Sequence, residues 1–195
     1  MNGVHFILLI IFSAFTMNLT LQCALGIRGV AESKVYNRLS SMVKLGIILI
    51  SIVVMWILFS KVISVLISGF FIYVLLFPVS YIAYESFEYL VFRQILKKDP
   101  KEECFVSFPG GITAAAVFIC LNMAINFFEA ILLSFGFTAG IFFVCVIIRE
   151  IRRRAALEAV PKFLRGKPLA IIAMGLLSLV FSAASLMILR MISTK

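Results

Sequence analysis

Six apolar stretches, each approaching the length of a bilayer crossing, constrain this chain more than any other feature. They run from about Phe6 to Ile27, Leu45 to Ser60, Phe70 to Phe92, Ile112 to Phe127, Ile131 to Ile148 and Leu169 to Leu189. A crossing takes roughly 20 apolar residues, so six helices and short links use up the 195 residues. Pro78 predicts a bend in the third stretch. The run from Val62 to Phe77 could form a seventh piece, but a bent third span accounts for the same residues.

Composition agrees with this reading. Hydrophobic residues make up 63% of the chain and charged ones 14%, with a mean hydropathy of +1.15. Soluble domains carry roughly 45–50% apolar residues and about a quarter charged ones, and a soluble core of this size could not hide the excess. The expected architecture is a single all-α integral-membrane domain over residues 1–195, embedded in the lipid bilayer. A water-soluble enzyme, a nucleic-acid-binding module and a disulfide scaffold are excluded. Met1 to His5 lacks Lys and Arg and no Ala-x-Ala site follows, so the first stretch is expected to stay as a membrane helix.

The net charge of +9 is unevenly placed. Link 1–2 carries Arg28, Lys34, Arg38 and Lys44, and link 3–4 carries Arg93, Lys97, Lys98 and Lys101. Link 5–6 carries Arg149, Arg152, Arg153, Arg154, Lys162, Arg165 and Lys167. Those three links hold 15 of the 18 basic residues, and only Lys61, Arg190 and Lys195 lie on the other side. Lys and Arg stay on the cytoplasmic face during insertion, which predicts that both termini are outside.

Three spans per half would turn a duplicated second half upside down, giving pseudo-repeats of about 1–100 and 101–195. Inverted repeats place function at interrupted helices in matching positions. The first helix carries Thr16, Asn18, Thr20, Gln22 and Gly26, and the fourth opens Pro109-Gly110-Gly111 and later holds Asn122 and Asn126. Close helix packing uses the same small and polar residues, so that reading stays open. From Ile112 to Ile148 each of two spans has about 28 Å and nothing left for a turn. One of them is therefore expected to be short or half-inserted. Backbone ending at membrane depth must be buried in protein or line a polar cavity, which implies a partner in the membrane.

Glu85 and Glu88 lie near the end of the third span, three residues apart on one helix face. Intramembrane carboxylates are costly and mark ion or proton paths, although an acid this close to Arg93 could instead snorkel to the boundary. Glu129, between spans four and five, is a third candidate at the opposite surface. The cysteines Cys23, Cys104, Cys120 and Cys145 form no CxxC pair. Cys23 and Cys120 fall in the first and fourth helices, where they could pack as small apolar residues or ligate iron. No nucleotide-binding loop, Ser–His–Asp set or HExxH is present.

Several motifs resemble one family. Val160-Pro161-Lys162-Phe163-Leu164-Arg165-Gly166, followed by Gly175-Leu176-Leu177-Ser178-Leu179, resembles the end of the Rnf/Nqr integral-membrane subunits. Asn18-Leu19-Thr20-Leu21 with Leu25-Gly26-Ile27 is similar to that family's first-helix motif. Phe108-Pro109 with Ile112-Thr113 is similar to its fourth-helix entry, and Phe87-Glu88 and Phe128-Glu129 match its acidic positions. The outside N-terminus and basic odd-numbered links look more like RnfA, or NqrE, than their oppositely oriented paralogs.

The resemblance implies six transmembrane helices in an inverted three-plus-three repeat, with the first and fourth helices short or broken. It implies a bacterial inner-membrane location and a homologous membrane subunit of opposite topology. The pair would share a [2Fe–2S] cluster, pass electrons between flavin-bearing and iron–sulfur subunits, and couple the transfer to Na⁺ or H⁺ movement. Glu88 would line the ion path.

The sequence departs from the family at the cluster positions. Arg28 stands where the first cysteine is expected, and Ala115 is the best match for the second. Cys23 and Cys120 are each five residues away, about 500° of helix rotation and 7.5 Å of rise. Two readings follow. One is an oxidoreductase subunit whose cluster is missing, altered or held by the shifted cysteines. The other is a cluster-free scaffold, an assembly factor or a small transporter.

Overall fold

The computed structural model describes residues 3–22, 38–63, 71–96, 109–157, 161, 164 and 166–193. Cys23, Arg28 and Cys104 lie outside the described residues, as do Lys34, Lys97, Lys98, Lys101, Lys162 and Arg165.

The described residues form six helices and no strand. Helix α1 is Gly3–Ile11, extended by wider π-type turns over Phe12–Thr16. Helix α2 is Arg38–Ile57 with a π-type extension over Leu58–Ile63, and α3 is Phe71–Val91 with another over Phe92–Leu96. Helices α4, α5 and α6 are Pro109–Met123, Phe127–Leu157 and Lys167–Ser193. Four of them, α2, α3, α5 and α6, are long and apolar enough to cross a membrane. The chain is thus a multi-pass helical membrane protein. Large apolar side chains such as Phe71, Phe77 and Ile82 on α3, and Ile171, Leu176 and Leu179 on α6, stay exposed on the outside of the bundle. That inverts the pattern of a soluble protein and gives lipid a surface to wet.

Helices α1 and α4 are the short ones, in agreement with the sequence expectation. The first stretch does not run on as one helix to Ile27: α1 ends at Thr16, and Met17–Gln22 forms a turn. The fourth ends at Met123, not Phe127, because a three-residue turn over 124–126 starts α5. Helix α3 passes through Pro78. Helix α5 continues beyond the expected Ile148, so Arg149, Arg152, Arg153 and Arg154 ride on its last turns and not in a loop. At the entry to α6, Gly166 adopts φ +91°, a left-handed conformation that favours glycine, just ahead of Pro168 in the first helical turn.

Side-chain contacts set the order of the bundle. Helices α3 and α4 are antiparallel: Tyr73 meets Asn122 and Phe118 at one end, and Gly110 abuts Tyr81 at the other. Trp56, near the end of α2, packs its ring 6.3 Å from Phe127 at the start of α5. Phe15 stacks on Phe181 of α6 at 5.1 Å. Helix α1 runs parallel to α5, with Ser13 and Ile10 against Gly136, then Ala14 and Asn18 against Gly140.

Depths follow from these contacts. Gly110 lies about 20 Å along α4 from its junction with α5, and Gly140 about 20 Å along α5 from the same junction. The end of α1 and the start of α4 therefore fall at a common level, near the middle of α5.

Docking of α1 depends on the two glycines. A Cβ on Gly140 would sit 2.7 Å from the Ala14 carbonyl oxygen and 2.9 Å from Asn18 Nδ2. Both atoms are fixed by hydrogen bonds, so neither can give way. Gly140→Ala is expected to cost about 1–3 kcal/mol as an overpacked contact. Gly46→Ala, whose Cβ meets nothing within 4 Å, should stay within about 0.5 kcal/mol of wild type. Unfolding of both variants in detergent checks this, and equal stabilities would contradict the docking.

Candidate functional site

The turn after α1 is held by one side chain. Asn18 is buried and its Nδ2 donates to the Ala14 carbonyl at 2.9 Å, satisfying a helix-end acceptor. Its Oδ1 accepts from Thr20 Oγ1 at 2.7 Å and from the N–H groups of Thr20 and Leu21 at 3.2 and 3.3 Å. Gln22 N–H then closes onto the Asn18 carbonyl at 2.8 Å. With no water at this depth, these bonds let the backbone reverse away from helix geometry.

At the same level, α4 begins with Gly110, Gly111, Ile112, Thr113 and Ala114 all buried. Thr113 Oγ1 donates to the Gly110 carbonyl at 2.8 Å. The junction thus brings a helix C-terminal end and a helix N-terminal end to mid-bundle, each with a short polar side chain tied to its own backbone.

A buried ion pair lies between this junction and the basic end of the bundle. Glu88 is two turns beyond Tyr81 on α3 and is 8% exposed. Lys44 on α2 is 6% exposed. Lys44 Nζ lies 3.4 Å from Glu88 Oε1 and 5.3 Å from the centroid of the Phe92 ring. The sequence reading that put Lys44 in the link before the second span is corrected: α2 starts at Arg38, and Lys44 is nearly two turns inside it. Both partners belong to stretches apolar enough to span, Met42–Lys61 and Phe71–Gln94. An isolated charge there would be prohibitively costly, and pairing lowers the net charge of the site to zero. The aromatic face adds a weaker attraction for the ammonium.

The other candidates lie elsewhere. Glu85 shares α3 with Glu88 but is exposed. Glu129 is buried at the far end of the bundle, where its Oε2 accepts from the N–H groups of Ile125 and Asn126 at 2.9 and 3.4 Å. Asn126 begins α5 and Glu129 sits three residues on, the spacing of a reciprocal helix cap. That spacing is visible in the sequence and explains how α4 and α5 join through only three residues.

The α4 half of an iron–sulfur ligand set is not met by the described residues. Ala115, at the position expected for a cysteine, offers only a methyl group. Cys120 is fully buried against α5, with Sγ 4.0 Å from Ser134 Oγ, and lies about 7.5 Å along the helix from Ala115. Among the described residues no group of three or more His, Cys, Asp or Glu could hold a metal ion.

The fold and site define a multi-pass membrane protein with two half-length helices meeting at mid-bundle beside a buried acid–base pair. No family model matches the chain. A stretch of 56 residues is 41% identical to RnfA, the first-lettered component of the ion-translocating oxidoreductase complex, from Buchnera aphidicola subsp. Baizongia pistaciae (strain Bp). The match covers 29% of this chain and 29% of that relative's length.

The pair makes a quantitative prediction. Lys44→Met and Glu88→Leu should each destabilise the protein by about 3–5 kcal/mol, because each strands a buried charge, while the double variant recovers most of the loss. A double-mutant cycle read by unfolding in detergent measures the coupling. Additive effects would show that the charges do not depend on one another.

Proposed function

We infer that the chain is a membrane subunit of an ion-translocating oxidoreductase complex. The observation that carries this reading is the similarity to a component of such a complex, in a chain whose first and fourth helices stop at mid-bundle. The motifs of the Rnf/Nqr membrane subunits point the same way, and so does the buried Glu88. On this reading the two halves are inverted repeats, both termini face outward from a bacterial inner membrane, and a homologous subunit of opposite topology covers the half-helix junction. Flavin-bearing and iron–sulfur subunits then supply and remove electrons. Glu88 belongs to the path of the transported Na⁺ or H⁺, with Glu85 and Glu129 as candidates toward its two ends.

Ala115 favours a second reading, in which the scaffold serves a complex or a small transporter without holding iron at α4. No electron-transfer step is assigned to this chain's own side chains. Isolation of the epitope-tagged chain from native membranes in mild detergent separates the readings. Co-purification of a homologous membrane subunit together with flavin and iron–sulfur proteins is the expected result. Recovery of the chain alone would remove the oxidoreductase reading.

A further inference from the structure

The Lys44–Glu88 pair has a property that a simple inter-helix staple does not need. At 3.4 Å the contact is longer than a tight charge-assisted hydrogen bond, about 2.7–2.9 Å. The ammonium neutralises the carboxylate without locking its geometry. A buried carboxylate in an apolar span stays ionised only with a cation beside it. A lysine ammonium and a monovalent metal ion carry the same unit charge. Both together at Glu88 would leave a net positive charge between α2 and α3, which the surrounding hydrocarbon penalises. One therefore excludes the other.

We propose that Lys44 is a tethered competitor for cations at Glu88. The carboxylate holds the Lys44 ammonium when no ion is bound and releases it when a monovalent cation takes that place. Lys44 thereby acts as a positioning residue that weakens cation binding and keeps the site neutral between ions. This rests on the reading of Glu88 as a cation-path residue and adds to that path an internal gate supplied by α2.

The test uses the full-length protein purified in mild detergent, with radiolabelled Na⁺ and Rb⁺ as probes and choline balancing the ionic strength. Lys44→Met is expected to bind one cation per chain roughly tenfold or more tightly than wild type, because the occluding group is gone. Lys44→Met combined with Glu88→Gln should lose that binding, and Lys44→Arg should not gain it. A folded, helical Lys44→Met protein that binds neither ion better than wild type overturns the proposal.

A measurement on the unaltered protein covers the case in which Lys44→Met does not fold. A membrane-permeant amine-acylating reagent should label Lys44 several-fold faster in saturating Na⁺ or Rb⁺ than in choline, and equal rates in all three overturn the proposal. Redox-driven transport by the assembled complex carrying Glu88→Gln separates the two levels. Tighter binding in Lys44→Met with transport untouched by Glu88→Gln upholds the competitor and takes Glu88 off the transport path. No gain of binding, with transport lost in Glu88→Gln, keeps the path and overturns the competitor.

Discussion

A helix that stops halfway through a membrane must satisfy its terminal backbone groups without water. In this protein the Asn18 carboxamide meets that requirement, donating back to Ala14 and accepting from the turn that follows. The turn can form at this depth only because Gly136 and Gly140 let α1 lie against α5 at backbone distance. Local hydrogen bonding and close packing are therefore one device. The position of α1 then sets where the chain leaves the bundle interior, and α4 meets the same level from the other side of α5.

The interrupted level and the charged pair are adjacent along the bundle. Lys44 and Glu88 lie between the half-helix junction and the end where Arg93 and the four arginines of α5 collect. A carboxylate in that position is accessible to a cation only through rearrangement of its own counter-ion. Specific α2–α3 pairing and the capacity to respond to ions thus arise from the same two side chains. The far end of the bundle is of a different kind: Glu129 is engaged in capping α5, and the apolar rings of Trp56 and Phe127 close the surface.

The number of helices and the shortness of the first and fourth were legible in the sequence, because apolar runs report helix length directly and the residue count left no room for two full spans. Where α1 stops was not legible. Leu19 and Leu21 prolong the apolar run, and hydropathy does not register the hydrogen bonds that turn the chain at Asn18. Lys44 was misread for a related reason: a single basic residue at the edge of an apolar run looks like a link residue until its partner, distant in sequence, is known. Glu129 could have been read further, since Asn126 and Glu129 carry the helix-cap spacing. The roles of Gly136 and Gly140 needed the packing of α1 against α5.

The central claim is that this chain couples electron transfer to cation movement, and redox-driven cation uptake by sealed membrane vesicles tests it most directly. Vesicles from cells lacking the chain should lose that uptake, and the wild-type chain should restore it. Restoration should fail with Gly140→Ala, if displacing α1 leaves the mid-bundle level unformed. Undiminished redox-driven uptake in vesicles without the chain would contradict the account.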